Sequence, residues 1–431
     1  MQLKYNTMKQ FYPIILMALA FMVSCNNGIG PTEDPDGLSK YKFLSKDAPK
    51  SLTKADIEKV AKVNTFAFSL GKEIDAVDAG KSYVFSPLSM ACLLGMLSEG
   101  AAGDTRAEIC SALGYDGDGQ QEINTFFRNL IVFTSGSASE GEEFSMANIA
   151  VLNESIKLLE SYRKSVKNYY DADAVNKDFG KEDIAAYINE WASQKTNGRI
   201  KKVLDKVECL AYFMDALYFK GSWASPFNEK TKEEVFTCAN GETRMEKMMW
   251  QRKEHNGIPY TETSDYQAVN LFYGNSQTGA GNYSMSVILP KAGKSVSGIL
   301  SSLNGEGWSN LQRSFKGEYV DLKLPKFDIS LDKDMKPLLK NIGIKTMFDG
   351  GADFSRMSDN ALSVSMIKQV ANISVDEKGT EAAAVSIAGV RETADKGEEG
   401  PEFINFHADH PFLFAITEKT TGAILFLGCY Q

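Results

Sequence analysis

The side chains that usually perform acid–base or nucleophilic chemistry are scarce in this sequence and poorly placed for it. Of 431 residues only three are histidines, His255, His407 and His410. His410 stands before Pro411 in an extended apolar run, a poor seat for a mobile general base. No Gly-x-Ser-x-Gly elbow, His-Glu-x-x-His pair or phosphate-binding glycine loop occurs. The six cysteines, Cys25, Cys92, Cys110, Cys209, Cys238 and Cys429, form no Cys-x-x-Cys pair. Neither a zinc site nor a disulfide framework is signalled, and no metal or other cofactor is expected. With 47 basic against 56 acidic residues the net charge is −9, and the longest basic run is Arg199-Ile200-Lys201-Lys202, which argues against a nucleic-acid partner.

What remains is a stretch of backbone and one carboxylate. Ala371, Ile373 and Val375 are apolar while Asn372, Ser374 and Asp376 are polar, the period of a strand with one face buried. Gly379 then releases the backbone. The alternation resumes from Thr380, with Thr380, Ala382, Ala384, Ser386 and Ala388 in one register and Glu381, Ala383, Val385, Ile387 and Gly389 in the other. The first register is small and uncharged throughout, so this strand is able to slide between strands already in place. An alanine-rich loop or short helix is the other reading. The carboxylate is Asp215, inside the apolar strand from Leu210 to Phe219. Buried without partners it would take up a proton or cost several kcal/mol, so hydrogen-bond partners are expected nearby.

The elements that must position these residues belong to a mixed α/β chain whose 43% hydrophobic content supplies a large core. Ile57, Val60, Val63, Phe66, Ala67, Leu70 and Ile74 recur at helical spacing near the start of the folded region, about Ser51. A second helix begins with Ser86 as cap and Pro87 in its first turn, and its body from Met90 to Leu97 is apolar nearly all round. Asp104 is placed to cap a third. Ile184 to Lys195 reads as a helix stopped by Asn197-Gly198. Tyr283, Met285, Val287 and Leu289 alternate as a half-buried strand. The runs from Phe406 to Phe414 and from Ala423 to Gly428 read as two strands buried on both faces and joined by Thr420-Thr421-Gly422.

The run Glu377-Lys378-Gly379-Thr380-Glu381-Ala382-Ala383-Ala384 resembles the reactive-centre-loop hinge of inhibitory serpins, which trap serine and some cysteine proteases. Phe85-Ser86-Pro87-Leu88-Ser89, Tyr218-Phe219-Lys220-Gly221-Ser222-Trp223, Leu324-Pro325-Lys326-Phe327, Gly351-Ala352-Asp353-Phe354-Ser355 and His410-Pro411-Phe412 are similar to further serpin runs, so that the likeness covers about residues 50 to 431. The resemblance implies an α+β serpin fold, with helices around a large central mixed sheet, further sheets and an exposed loop at about 377–402. It places Ser86, Ser89, Asp215 and Gln369 at the shutter that governs opening of the central sheet; Asp215 stands where Asn is usual and Gln369 where His is. It places Trp223, Lys326 and Glu377 at the breach where the loop enters, with Lys326 paired to Glu377. The scissile bond follows the fourteenth residue after Gly379, which gives Thr393-Ala394, with Arg391-Glu392 as the alternative for proteases that prefer a basic residue. In the native state Thr380 is expected near the loop's exit from the strand, where a long side chain in its place can reach water at little cost.

The N-terminus has the layout of an export signal: Lys4 and Lys9, an apolar core from Phe11 to Met22, then Val23-Ser24-Cys25. The last residues resemble a bacterial lipobox, which makes residues 1–24 a signal peptide, Cys25 a lipidated N-terminus and residues 25–50 a tether ahead of a single domain at 51–431; an ordinary signal peptide with an incidental cysteine is the alternative. The expected molecule is a monomer anchored through lipid to the bacterial cell envelope, or secreted, with a serine or cysteine protease as partner. A non-inhibitory binding protein of the same fold and an unrelated surface enzyme are the competing readings, and the small residues at Thr380, Ala382 and Ala384 favour the inhibitor over the binding protein.

Overall fold

The computed structural model describes residues 52–228, 231–253, 257–275, 281–380 and 401–431. Six strands form the central sheet: β1 (Glu142–Asn153), β2 (Asp173–Lys177), β3 (Ala211–Ser222), β4 (Phe327–Asp334), β5 (Ile367–Asp376) and β6 (Gly379–Thr380). Their spatial order is β4-β5-β6-β3-β1-β2, and β5 also pairs directly with β3. A seven-stranded sheet and a four-stranded sheet complete the fold.

Burial along β5 alternates strictly, Ile367, Gln369, Ala371, Ile373 and Val375 inward, as its sequence period requires. In β3 the two faces go to different cores. Phe213, Leu217 and Phe219 join the main core, whereas Tyr212, Met214 and Ala216 face Ile184, Ile188, Trp191 and Ala192 of the helix Ile184–Lys195. That covering on both sides explains why the strand reads as nearly continuous apolar sequence. The helix Pro87–Gly100 lies under the sheet with almost every side chain buried, and Ser86 caps it by accepting from the Ser89 amide. It delivers Ser86 and Ser89 to the inner face of β3 and β5.

Three details differ from expectation. Ala102, not Asp104, is the cap of the helix Gly103–Ala112, with Asp104 inside the first turn. Strand Tyr283–Pro290 is buried on both faces, since it lies between strands Tyr266–Phe272 and Phe412–Glu418 in the middle of the seven-stranded sheet. The run from Phe406 to Phe414 is not one strand: Ile404–His407 pairs in parallel with Val320–Pro325 in the four-stranded sheet, and Phe412–Glu418 belongs to the other. Pro411 stands at that break, where the chain has no amide hydrogen to offer a ladder.

Candidate functional site

Strands β3 and β5 touch at one end and diverge toward the other. They pair in parallel through Ile367↔Phe213, Lys368↔Met214 and Gln369↔Asp215. At the far end β6 stands between them as a wedge, antiparallel to both: Val375↔Thr380 and Asp376↔Gly379 on one side, Gly379↔Ser222 and Thr380↔Gly221 on the other. Among the described residues no strand pairing joins 370–374 to 216–220, so the two neighbours are spread but not yet joined by a full strand.

Two glycines make the wedge possible. A Cβ on Gly379 would lie 2.1 Å from the Gly221 carbonyl oxygen, and a Cβ on Gly221 would lie 2.7 Å from the Tyr273 ring. The first would push β6 off β3, and the second would displace the Tyr273 ring that packs beneath the wedge. The expectation that a long side chain at position 380 reaches water at little cost is overturned: Thr380 is 1% exposed, and its Oγ1 lies 2.6 Å from the Tyr273 hydroxyl. The reason is that Gly379–Thr380 already lies as a strand, which turns this side chain into the layer beneath the sheet.

Around the wedge, every main-chain carbonyl of the turn has a donor. Trp223 Nε1 donates to the Asp376 carbonyl at 2.9 Å, the Phe227 amide to that of Glu377 at 2.9 Å, and the Trp223 amide to that of Lys378 at 2.8 Å. Trp223 is 1% exposed and stacks on Tyr273 with ring centroids 4.4 Å apart. The Glu377 carboxylate is ion-paired with the Lys326 ammonium and accepts from the Thr231 hydroxyl. Burial works to raise the Glu377 carboxyl, but Lys326 and Thr231 outweigh it and hold it below the usual glutamate range. Trp223, Lys326 and Glu377 are thus brought together.

At the other end Ser86, Ser89, Asp215 and Gln369 converge. Asp215 Oδ2 accepts from Ser89 Oγ and, at 2.8 Å, from Gln369 Nε2. Gln369 also accepts from the Ser86 amide at 3.1 Å and donates to the Ser86 carbonyl at 3.0 Å. Desolvation dominates these bonds and pushes the Asp215 carboxyl up to about 6. Among the described residues its second oxygen has no partner and neither amide atom of Asn148 has one, although Asn148 lies directly opposite Asp215 across β1 and β3.

Sequence reasoning missed Tyr273, Thr231 and Asn148. Tyr273 closes a contact over a separation of 107 residues and Thr231 one over 146, with no local periodicity to announce them. Asn148 carries the one available signal, a polar residue inside the apolar run Ile149-Ala150-Val151-Leu152 and its flank. Residues Glu381, Ala382, Ala383 and Ala384, the bonds Thr393-Ala394 and Arg391-Glu392, and Cys25 lie outside the described residues.

The described cysteines are free, with Cys92, Cys110 and Cys429 buried and Cys209 and Cys238 partly exposed. The sequence profile described as Serpin (serine protease inhibitor) matches residues 61–431. Iripin-1 of Ixodes ricinus is 33% identical over 80% of this chain and 87% of its own length. Corticosteroid-binding globulin of Ovis aries is also 33% identical, over 84% of this chain and 82% of its own. The crystal structure of the thermophilic serpin tengpin in its native state superposes with a TM-score of 0.79 at 25% identity, covering 91% of this chain and 98% of that one. The profile is described by protease inhibition and one of these relatives by ligand binding, and the architecture, the matched span and the identities agree that the chain belongs to the serpin family.

Proposed function

We propose that this protein inhibits serine proteases, and some cysteine proteases, as a suicide substrate. The observation that carries the reading is the wedge: a strand begun at Gly379 and Thr380, paired on both sides between β5 and β3, and followed in sequence by the small residues Ala382, Ala384, Ser386 and Ala388. A protease acylates the loop at Thr393-Ala394, or at Arg391-Glu392 if it prefers a basic residue. The freed strand then extends from the wedge and gains on the order of ten ladder hydrogen bonds at about 1 kcal/mol net each. Domain stability is itself only about 5 to 15 kcal/mol, so insertion is able to offset distortion of the protease's active site, and deacylation fails for want of aligned groups. The inhibitor acts as a monomer, anchored through lipid on Cys25 to the cell envelope after removal of residues 1–24, with residues 25–50 as its tether and residues 51–431 as its domain.

Incubation with a panel of serine and cysteine proteases tests this. A complex that survives SDS is expected, with Ala394 as the released N-terminus. Glu392 there indicates Arg391, a start beyond Lys396 rejects both bonds, and cleavage without any complex rejects the inhibitor in favour of a binding protein of the same family. Mass spectrometry of the mature chain from membranes checks the anchor, an unmodified N-terminus after Cys25 being the contrary result.

A further inference from the structure

Behind the breach lies a cavity of about 140 Å³, bounded by the chain after β3, by strand Thr243–Arg252 with Lys253 after it, and by strand Tyr266–Phe272. Trp223, Phe227, Leu271 and Phe272 line it together with Gln251 and Lys253. A cavity of roughly 150 Å³ holds one benzene molecule, so this one has the size of a single ring. Lys253 is half-buried at its edge, and among the described residues no ion pair joins it to a carboxylate. Burial holds its ammonium below the usual lysine range. The Gln251 amide nitrogen is tied to the Ser225 and Pro226 carbonyls, at 2.7 and 3.0 Å, and supplies no counter-charge. A slot one ring wide, walled by Trp223 and Phe227 with the polar Ser225, Gln251 and Asn270 beside them and a cation at its edge that has no carboxylate partner among the described residues, matches a flat aromatic anion.

The same walls hold the hinge. Trp223 and Phe227 face the cavity, and between them they donate the three hydrogen bonds to the carbonyls of Asp376, Glu377 and Lys378. A ligand packed on these two rings favours the arrangement in which those bonds are made.

We propose that this cavity is a binding site for single-ring aryl carboxylates, with Lys253 holding the carboxylate and Trp223 and Phe227 flanking the ring, and that occupancy steadies the Gly379–Thr380 wedge. Binding stands apart from protease trapping; only an effect of the ligand on trapping rests on the inhibitor reading.

The test is calorimetric titration of the full, uncleaved chain with benzoate, using benzamide as the neutral control and Lys253→Gln and Lys253→Arg as variants. Benzoate should saturate, Lys253→Arg should retain binding, and benzamide or Lys253→Gln should each weaken it about tenfold, the effect of losing one charged hydrogen bond. Failure to saturate by about 10 mM, or equal affinity for benzoate in Lys253→Gln, overturns the site. Hydrogen exchange at the Gly379 and Thr380 amides should slow with benzoate bound, and unchanged exchange at saturation overturns the coupling. All these measurements are made without protease, so they succeed or fail whether or not the protein traps one.

Discussion

The gap between β3 and β5 is closed at both ends, by two different constructions. At the wedge, main-chain pairing does most of the work, and the side chains Glu377, Thr380 and Trp223 all have partners. At the opposite end a buried side-chain cluster holds the strands, and three of its polar atoms, Asp215 Oδ1 and both amide atoms of Asn148, have none among the described residues. The two ends therefore answer to pH with opposite sign. Glu377 is held below its unfolded value, so its contribution is present above about pH 4.3 and is lost as pH falls through the folded value. Asp215 is raised, so its contribution is complete below about pH 4 and is lost as pH rises toward about 6. Near neutral pH the wedge end is at its firmest while the shutter end carries a buried charge. On the proposed mechanism, the poorly satisfied groups lie where the sheet would part and the well-satisfied ones where the loop joins it.

Breaking the firm end should have the largest effect. Thr380→Arg sets a guanidinium against Tyr273 in a site that is 1% exposed, at a cost of several kcal/mol or expulsion of β6 from the sheet. The expected result is a substrate: the loop is cut, no SDS-stable complex forms, and exchange at the Gly379 amide rises before any protease is added. Wild-type trapping stoichiometry in this variant would contradict the strand-insertion reading.

Relieving the strained end comes next. The rise of the Asp215 carboxyl from 3.8 to about 6 is roughly two units, or about 3 kcal/mol of stability lost between about pH 4 and pH 7. Cys92, on the helix beneath, is kept protonated and neutral by burial and by the nearby Asp215 charge. Asp215→Asn keeps an acceptor for Ser89 and Gln369 and gains a donor toward Asn148. Its denaturation midpoint should rise at pH 7, its stability should become nearly flat between pH 4 and 7, and loop insertion should slow. An unaltered pH profile would show that Asp215 does not titrate in the folded state.

The smallest effect belongs to the ion pair at the breach. Lys326 and Glu377 are partly exposed, and a double-mutant cycle with Lys326→Met and Glu377→Gln should give a coupling of about 1 kcal/mol or less. That coupling should vanish as pH falls through the lowered folded value of Glu377 and the carboxyl is protonated. A coupling that persists in acid would assign it to packing rather than charge.

How far the sequence reveals this contrast depends on the range of the interactions. The inward alternation of β5 and the Ser86 cap are local patterns, and Asp215 stood out because a carboxylate interrupts an apolar run; its need for partners is met by Ser89 and Gln369. The pairing of Lys326 with Glu377 followed from family resemblance, since nothing in either local stretch implies it. The burial of Thr380 was not legible. It depends on how far β3 and β5 splay, and on Tyr273 being delivered from a different sheet, which no periodicity near Thr380 encodes. The break at Ala408 to Pro411 had a local signal in Pro411, yet the apolar residues on both sides read as one strand because each sheet buries its own part.

The wedge also acts as an index mark. Side chains in a strand alternate with a period of two, so a strand that enters one residue out of step presents its wrong face to the core. Thr380 is already fixed opposite Gly221 and Val375, so a strand growing from it has no choice of frame. Counted onward from those pairs, the residue that arrives level with Asp215 and Gln369 is Ser386. If the loop inserts as proposed, the strand parting the last contacts between β3 and β5 brings a small hydroxyl there, a donor suited to the Asp215 oxygen that has no partner among the described residues.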